Sequence, residues 1–335
     1  MGRKPKEKWS AKDENPQLSL MPELEFQYVD VAVERVKLAW GFHHMMNPDG
    51  KKMLLAFSGG KDSVCLFFVA KQAAEEMGMK LEDICRVQYN VTTVDPPELV
   101  YFVRDVMKKQ YPFIQMKHPE KTMWQLIVEK HQPPLRNSRY CCAILKETSS
   151  VRGGYTLTGV RRSESWKRSS RDDFEVRGRT KAQRILLNDN GEDRRKDEYC
   201  MTKESHICNP IIDWSDEDVW HYIKGKNLPY CELYDKGWDR LGCLGCPLAG
   251  EKNQRRDFEA YPRYKQQYIR TFQKMLDVAR GGWYRKELAS STPFLDGQDV
   301  FDWWTHDPAF IERHQDELSE YKNVLFEAFD NGDDG

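Results

Sequence analysis

Residues 54–68 read LLAFSGGKDSVCLFF. The run Leu54–Phe57 is apolar and has the length of a buried strand. The run VCLFFVAKQAAEEMG over 64–78 has the length and spacing of a helix. A chain that passes from a buried strand to a buried helix this way belongs to an α/β sheet, and the loop between them falls at the carboxyl end of a strand, where such sheets bind ligands. The loop holds two glycines, a lysine, an acid and two serines. Gly59 and Gly60 let the backbone approach a ligand and expose its N–H groups. Ser58 and Ser63 add hydroxyl donors, Lys61 adds a full positive charge, and the helix N-terminus adds a partial one. Together they make a phosphate cradle. Asp62 would repel a bare phosphate, so it points to a magnesium ion or to shaping of the loop. The pattern is not a Walker A loop, which needs Gly at Leu55 and Ser or Thr at Asp62. The plain alternative is a glycine turn between strand and helix.

The same alternation continues along the chain. A helix is expected over 23–46, with Phe26, Val29, Val33, Val36 and Trp40 on one face. ICRVQYNV (84–91), FIQMKH (113–118), YTLTGV (155–160) and CNPIIDW (208–214) read as strands. PELVYFVRDVMKKQ (97–110), TMWQLIVEKH (122–131), CCAILKETSSV (141–151) and SDEDVWHYIKGKN (215–227) read as helices, the last capped by Ser215. Strands alternating with helices predict an α/β fold with a doubly wound, mostly parallel sheet, followed by a helical C-terminal region. The expected organisation is a flexible tail over 1–22, a nucleotide-binding domain over 23–250 and helices over 251–335. Residues 161–199 interrupt the rhythm with twelve Lys/Arg against nine Asp/Glu and read as a mobile charged loop.

Hydrophobic residues make up 39% and charged residues 31%, which suits a globular chain, and the net charge of -1 supplies no global pull towards nucleic acid or membrane. No apolar run approaches the roughly 20 residues of a membrane span. The polar start MGRKPKEKWSAKDENPQ lacks the apolar core of a signal peptide, so a cytoplasmic location is expected. Nine cysteines then point to metal binding or thiol chemistry more than to disulfides.

Ser58-Gly59-Gly60-Lys61-Asp62-Ser63 resembles the S-G-G-x-D-S loop of the PP-loop, or N-type ATP pyrophosphatase, superfamily. Three further segments resemble its PAPS reductase (sulfonucleotide reductase) branch. They are Gly159-Val160-Arg161-Arg162-Ser163-Glu164-Ser165, then Pro210-Ile211-Ile212-Asp213-Trp214-Ser215 with Asp218-Val219-Trp220, then Leu228-Pro229-Tyr230 with Leu233-Tyr234-Asp235 and Gly242-Cys243. The resemblance runs from about 51 to 250 in the expected order. It implies an adenine nucleotide α-hydrolase-like fold and a loop that holds the pyrophosphate of ATP, cleaved between the α and β phosphates.

On that resemblance Lys61, Asp62 and Arg161 are the expected catalytic residues. Ser58, Gly59, Gly60, Lys61, Asp62, Ser63, Asp95, Gly159, Arg161 and Arg162 are the expected nucleotide-binding set. Arginine suits a phosphate or sulfate because its planar fork binds two oxygens; the alternative for the Arg161–Arg162 pair is a surface salt bridge with Glu164. Asp95, in Asp95-Pro96-Pro97-Glu98, is a candidate wall for adenine and ribose, or part of an ordinary proline-led helix start.

Cys243 and Cys246 form C-x-x-C in a glycine-rich turn, a spacing that converges on one metal but also fits a redox pair or two buried thiols. Adenylyl-sulfate reductases with a 4Fe-4S cluster carry Cys-Cys, a long spacer and Cys-x-x-Cys. The same order here implies Cys141, Cys142, Cys243 and Cys246 as ligands of a 4Fe-4S cluster, with zinc as the alternative metal. Cys231 and Cys208 are substitutes for one ligand, and Cys65 and Cys85 are core. Arg139 and Lys146 flank the cysteines and read equally well as a solvated face.

Two departures from the reductases matter. Their nucleophilic cysteine lies near the C-terminus in a Glu-Cys-Gly context, whereas here the last cysteine is Cys246, leaving Cys200 or Cys208 as substitutes. Their loop is usually degenerate, whereas here it is complete. Both favour ATP, with Mg2+ as cofactor, and resemble the ATP pyrophosphatases of DNA phosphorothioation systems and tRNA-thiolating enzymes. The expected activity is ATP-dependent adenylation (ATP to AMP plus pyrophosphate) in sulfur transfer or nucleic-acid modification. A sulfonucleotide reductase with a different nucleophile, or a nucleotide-binding partner protein without turnover, are the alternatives. The partners implied are ATP, an unidentified acceptor with nucleic acid among the candidates, a sulfur donor or system protein, and a second copy of the chain, with no membrane.

Overall fold

The computed structural model describes residues 27–147, 153–176, 205–281 and 294–314. The expected tail over 1–22, Cys200 and the charged segment beyond 176 lie outside them. The described elements are helix α1 (Gln27–Met46), strand β1 (Met53–Ala56), helix α2 (Lys61–Glu76), β2 (Cys85–Asn90), β3 (Gln115–Lys117), α3 (Met123–Lys130), α4 (Tyr140–Leu145), β4 (Tyr155–Leu157), β5 (Phe174–Val176), β6 (His206–Cys208), α5 (Asp216–Gly225), α6 (Glu251–Ala260), α7 (Pro262–Gly281), α8 (Gly297–Trp304) and α9 (Pro308–Arg313). Between β2 and β3 the chain forms a helical stretch, Pro97–Tyr101, that passes through a π-helical turn, Phe102–Met107, into Lys108–Gln110.

The six strands form one sheet in the order β3-β2-β1-β4-β6-β5. β1 and β4, β4 and β6, and β2 and β3 pair in parallel, and β5 runs antiparallel to β6. Leu54 stands beside Thr156, and Leu55 beside Leu157. The chain winds to one side through β2 and β3 and returns to the other through β4. The switch point therefore lies between β1 and β4, and the crevice outside their carboxyl ends is where an open α/β sheet takes a ligand. Among the described residues no helix is long and apolar enough to cross a membrane.

The chain forms two compact units. The described part of the first lies within Met1–Phe57, Lys61–Val87 and Val151–Tyr230, and that of the second within Ser58–Gly60, Gln88–Ser150 and Cys231–Gly335. The described later helices belong to the second unit. Met123, Leu126, Ile127, Phe258, Tyr268, Phe272, Met275, Val300, Phe301 and Trp304 make one buried cluster there. Trp304 is core, and its indole N–H donates to the Pro134 carbonyl at 2.6 Å.

The first unit is built on the apolar faces that the sequence predicts. Val29, Val33 and Val36 of α1 are buried, as are Met53, Leu54 and Leu55 of β1 and Val64, Cys65, Leu66, Phe67, Val69 and Ala70 of α2. His43 ties α1 to β4. Its Nδ1 accepts from the Tyr155 N–H at 3.1 Å, and its Nε2–H donates to the Lys51 carbonyl at 2.7 Å. Those partners require the neutral ring, and burial lowers its pKa in the same sense.

Two expectations are corrected here. The strand expected over 208–214 ends at Cys208, and Asn209–Trp214 folds into successive turns closed by Ile212 N–H to Asn209 O and Trp214 N–H to Ile211 O. Pro210 has no N–H to give a ladder. The expected loop over 161–199 opens with regular structure: a 3-10 turn at Arg162–Glu164, a short helix at Trp166–Ser169 and strand β5. Its charges hid the strand. Glu175, at the centre of β5, is buried because Arg171 donates to it from Nε at 2.9 Å.

Candidate functional site

The loop after β1 has the backbone its glycines predict. Gly59 sits at φ +75, and a Cβ there would lie 2.8 Å from both Leu99 Cδ1 and Val103 Cγ2. Only glycine meets both demands without strain. The Gly60 N–H points back to Ser58 Oγ at 3.4 Å. α2 begins at Lys61, so Lys61, Asp62 and Ser63 occupy its first turn.

After β4 the chain passes Gly159, whose position would bring a Cβ within 2.9 Å of the Asp62 carbonyl oxygen. This glycine is needed for close approach of two backbones, not for its dihedral freedom. Two residues later Arg161 turns into the same place, only 3% exposed at its side chain. Its Nε donates to Asp62 Oδ1 at 2.7 Å and its Nη2 to Asp216 Oδ1 at 2.6 Å. Its Nη1 donates to Ser163 Oγ at 2.8 Å and to the Trp214 carbonyl at 3.2 Å. Lys61, 8% exposed at its side chain, also reaches Asp216 Oδ1, at 3.3 Å, and its ammonium lies 5.9 Å from the centre of the Trp220 ring.

Lys61, Asp62, Gly159 and Arg161 are thus together in the first unit. Arg162 is not with them. Its Nε donates to the Arg171 carbonyl at 2.9 Å and its Nη1 pairs with Asp213. Asp213 is in turn shared with Arg35. Arg161 is extended whereas Arg162 opens the 3-10 turn, so their side chains take different partners, which the pattern Arg-Arg alone does not reveal.

Asp216 was not singled out by the sequence. It follows the capping Ser215 as the first residue of α5, where an acid is ordinarily explained by the helix dipole. The signal that marks it is tertiary. Burial works to raise its carboxyl, but the charges of Lys61 and Arg161 outweigh this and hold its pKa below the usual aspartate range.

The second unit carries the cysteines. Cys141 and Cys142 lie on α4. Cys243 and Cys246 flank a turn in which Gly245 sits at φ +68. The turn is pinned from several sides: the Leu244 N–H donates to the Val94 carbonyl at 2.8 Å, the Tyr268 hydroxyl to the Leu244 carbonyl at 3.1 Å, and the Gly245 N–H to Asp257 at 3.2 Å. The Cys243 thiol donates to Thr92 Oγ1 at 3.5 Å.

Neighbouring thiols act on Cys141 and Cys142. Cys141 is pushed up by its hydrogen bond to Cys142, by burial, and by the charges of Cys142, Cys243 and Cys246. Cys142 is held down by its hydrogen bond from Cys141 and, against burial, by Arg139 and Lys146. Lys146 has its ammonium pKa raised first by Cys243, against desolvation, then by Asp95, Cys246 and Cys142. Asp95 itself is tied down, its Oδ2 accepting from the Thr92 N–H at 2.8 Å. Cys141 thus senses the other three expected ligands, and Lys146 senses Cys142, Cys243 and Cys246. Among the described residues, however, no three His, Cys, Asp or Glu side chains stand where one metal ion could hold them. The set fits in kind, since all-thiolate donors suit an iron–sulfur cluster. Cys65 and Cys85 are buried as expected, and Cys208, on β6, donates to the Arg35 carbonyl in the first unit.

In the described part of the charged segment, Phe174 packs against Phe42 and Tyr155, and Trp166 is 74% exposed. Residues 52–249 match the phosphoadenosine phosphosulfate reductase domain. The chain belongs to that family.

Within it, the chain is 28% identical over 243 residues to an uncharacterised protein of Methanocaldococcus jannaschii, covering 70% of this chain and 51% of that one. It is 33% identical over 154 residues to an adenosine 5'-phosphosulfate reductase of Staphylococcus epidermidis, covering 44% of this chain and 54% of that one. The chain thus spans about half the length of the curated relatives it matches. Among solved structures, the phosphate complex of the phosphoadenylyl-sulfate reductase of Candida auris is similar with a TM-score of 0.40 and 16% identity, covering 70% of this chain and 98% of that one.

Proposed function

We propose that this family member binds ATP through the Ser58–Ser63 loop and transfers its adenylyl group to an acceptor, releasing pyrophosphate. The observation that carries the reading is the pairing of two almost fully buried cations, Lys61 and Arg161, at the sheet's switch point beside a complete Ser-Gly-Gly-Lys-Asp-Ser loop. Two fixed cations and the start of α2 suit a polyanion such as the pyrophosphate of a nucleotide.

On this reading the loop N–H groups and Lys61 hold the β and γ phosphates. Arg161, fixed by Asp62, Ser163 and the Trp214 carbonyl, meets charge that develops on the α phosphate as the acceptor attacks in line. Because its fork is already held, little reorganisation accompanies the step. Asp62 fits a Mg2+ ion bound with the nucleotide, which would neutralise phosphate charge. Cys141, Cys142, Cys243 and Cys246 would hold a 4Fe-4S cluster, which supplies electron-transfer or sulfur chemistry when bound. An acceptor in sulfur transfer or nucleic-acid modification is part of the same proposal.

A second reading, reduction of a sulfonucleotide, is favoured by the name of the staphylococcal relative and by the cysteine order. Calorimetric titration of anaerobically purified protein with magnesium ATP, adenylyl sulfate and phosphoadenylyl sulfate separates the two. The first reading expects ATP to bind tightly and the sulfonucleotides weakly, with binding lost in Lys61→Ala and AMP plus pyrophosphate formed once an acceptor is present. Tight sulfonucleotide binding with sulfite release and no ATP binding overturns it.

A further inference from the structure

The proposed anion site already contains a carboxylate. Asp216 Oδ1 stands 2.6 Å from Arg161 Nη2 and 3.3 Å from Lys61 Nζ, so one oxygen bridges the two cations. The exposures are unequal. The side chains of Lys61 and Arg161 are 8% and 3% exposed, but that of Asp216 is 66% exposed. The cations are fixed inside the fold, and their counter-charge sits on the solvent side.

The supports are unequal too. Arg161 is held from three further directions, by Asp62, Ser163 and the Trp214 carbonyl. Asp216 is the first residue of α5, and the cap of that helix is made by its neighbours: Ser215 Oγ accepts from the Asp218 N–H at 3.0 Å, and the Ser215 N–H donates to Asp218 at 2.7 Å. Rotating the Asp216 side chain outward breaks no cap and uncovers both cations.

We propose that Asp216 is a displaceable counter-ion that occupies the anion site of the free protein and must be expelled by the incoming phosphates. The inference deepens the nucleotide reading and rests on it. It makes Asp216 a specificity-determining residue. A ligand that brings two or more negative charges replaces what both cations lose, whereas a singly charged anion does not. The resting site thus discriminates against weakly charged anions while keeping two buried cations neutralised.

Inorganic pyrophosphate is the probe, titrated calorimetrically into wild type, Asp216→Asn, Asp216→Ala and Lys61→Ala, with and without magnesium. Circular dichroism checks the fold of each variant. Both Asp216 variants are expected to bind pyrophosphate about tenfold tighter than wild type without magnesium, the scale of one exposed charge beside two buried ones. The gain should persist with magnesium. Equal or weaker binding by folded Asp216 variants, while wild-type binding still depends on Lys61, overturns the counter-ion alone. Weakening confined to magnesium also overturns it, by making Asp216 a cation ligand. Absence of Lys61-dependent binding in every protein overturns the anion site itself, and the inference with it.

Discussion

Replacing Gly245 by alanine tests how the cysteine turn is built. Gly245 sits at φ +68, and an added Cβ would lie 2.2 Å from Phe258 Cζ and 3.0 Å from each of its Cε atoms. Carbon atoms in contact prefer about 3.5–4.0 Å, so the overlap exceeds about 1 Å. The left-handed backbone costs roughly 1–2 kcal/mol for a residue with a Cβ. Overpacking adds about 1–3 kcal/mol if the ring cannot retreat. Phe258 has little room to do so, since Phe301, Tyr268 and Trp304 stand 4.9, 5.5 and 5.8 Å from it, centre to centre. The expected destabilisation is about 2–5 kcal/mol, the sum of the two contributions. The assay is urea unfolding of reduced protein, followed by fluorescence, in four proteins: wild type, Gly245→Ala, Phe258→Leu and the double variant. Shortening Phe258 removes the obstructing atoms, so the alanine should cost only its backbone share there, and the cycle should show a coupling of about 1–3 kcal/mol. No coupling between the two positions would refute the steric account, and a cost near zero in either background would refute the backbone account as well.

Arg161→Met should destabilise the first unit by about 2–4 kcal/mol, less than a fully buried pair because Asp62 and Asp216 retain solvent, and a urea midpoint shift checks this. His43 is held neutral in the fold by burial. Its folded pKa lies below the unfolded value of about 6.5, so its contribution is intact above that pH and lost as pH falls through the folded pKa. Urea midpoints measured between pH 7.5 and pH 5.5 should fall in wild type and fall less in His43→Gln. Serine at Cys141, Cys142, Cys243 or Cys246 should abolish the visible absorption of an anaerobically reconstituted iron–sulfur cluster, while serine at Cys65 should leave it intact. Equal absorption in all five variants would exclude these thiols as ligands.

Much of the first unit was legible because its elements follow the simple periods of strand and helix. β1, α2 and β4 lie where Leu54, Leu55, Val64 and Leu157 place them. What stayed hidden depends on partners distant in sequence. Arg161 and Arg162 are adjacent and alike in type, yet one is fixed by Asp62 and Asp216 and the other by Asp213. Asp216 looks like a helix-start acid until the two cations facing it are seen. β5 was unreadable because its central residue is a glutamate, buried against an arginine four positions earlier. The late helices carry an ordinary amphipathic pattern, and nothing in it says that Phe258, Tyr268 and Trp304 pack with Met123 and Ile127 in one core.

The Arg171–Glu175 pair, with its carboxylate buried, has a consequence for how the sheet ends. β5 closes one end of the sheet order with three residues, and its middle position, registered against Ile207, is the glutamate. A sheet margin is where a second polypeptide can add itself by continuing the ladder, and an inward charge makes such growth unfavourable. To recruit a foreign strand in place of β5, the chain would have to expose His206, Ile207 and Cys208 and leave Arg171 without its carboxylate. Among the described strands, the short antiparallel β5 thus ends the sheet order with a charge at its centre, which disfavours continuation of the ladder.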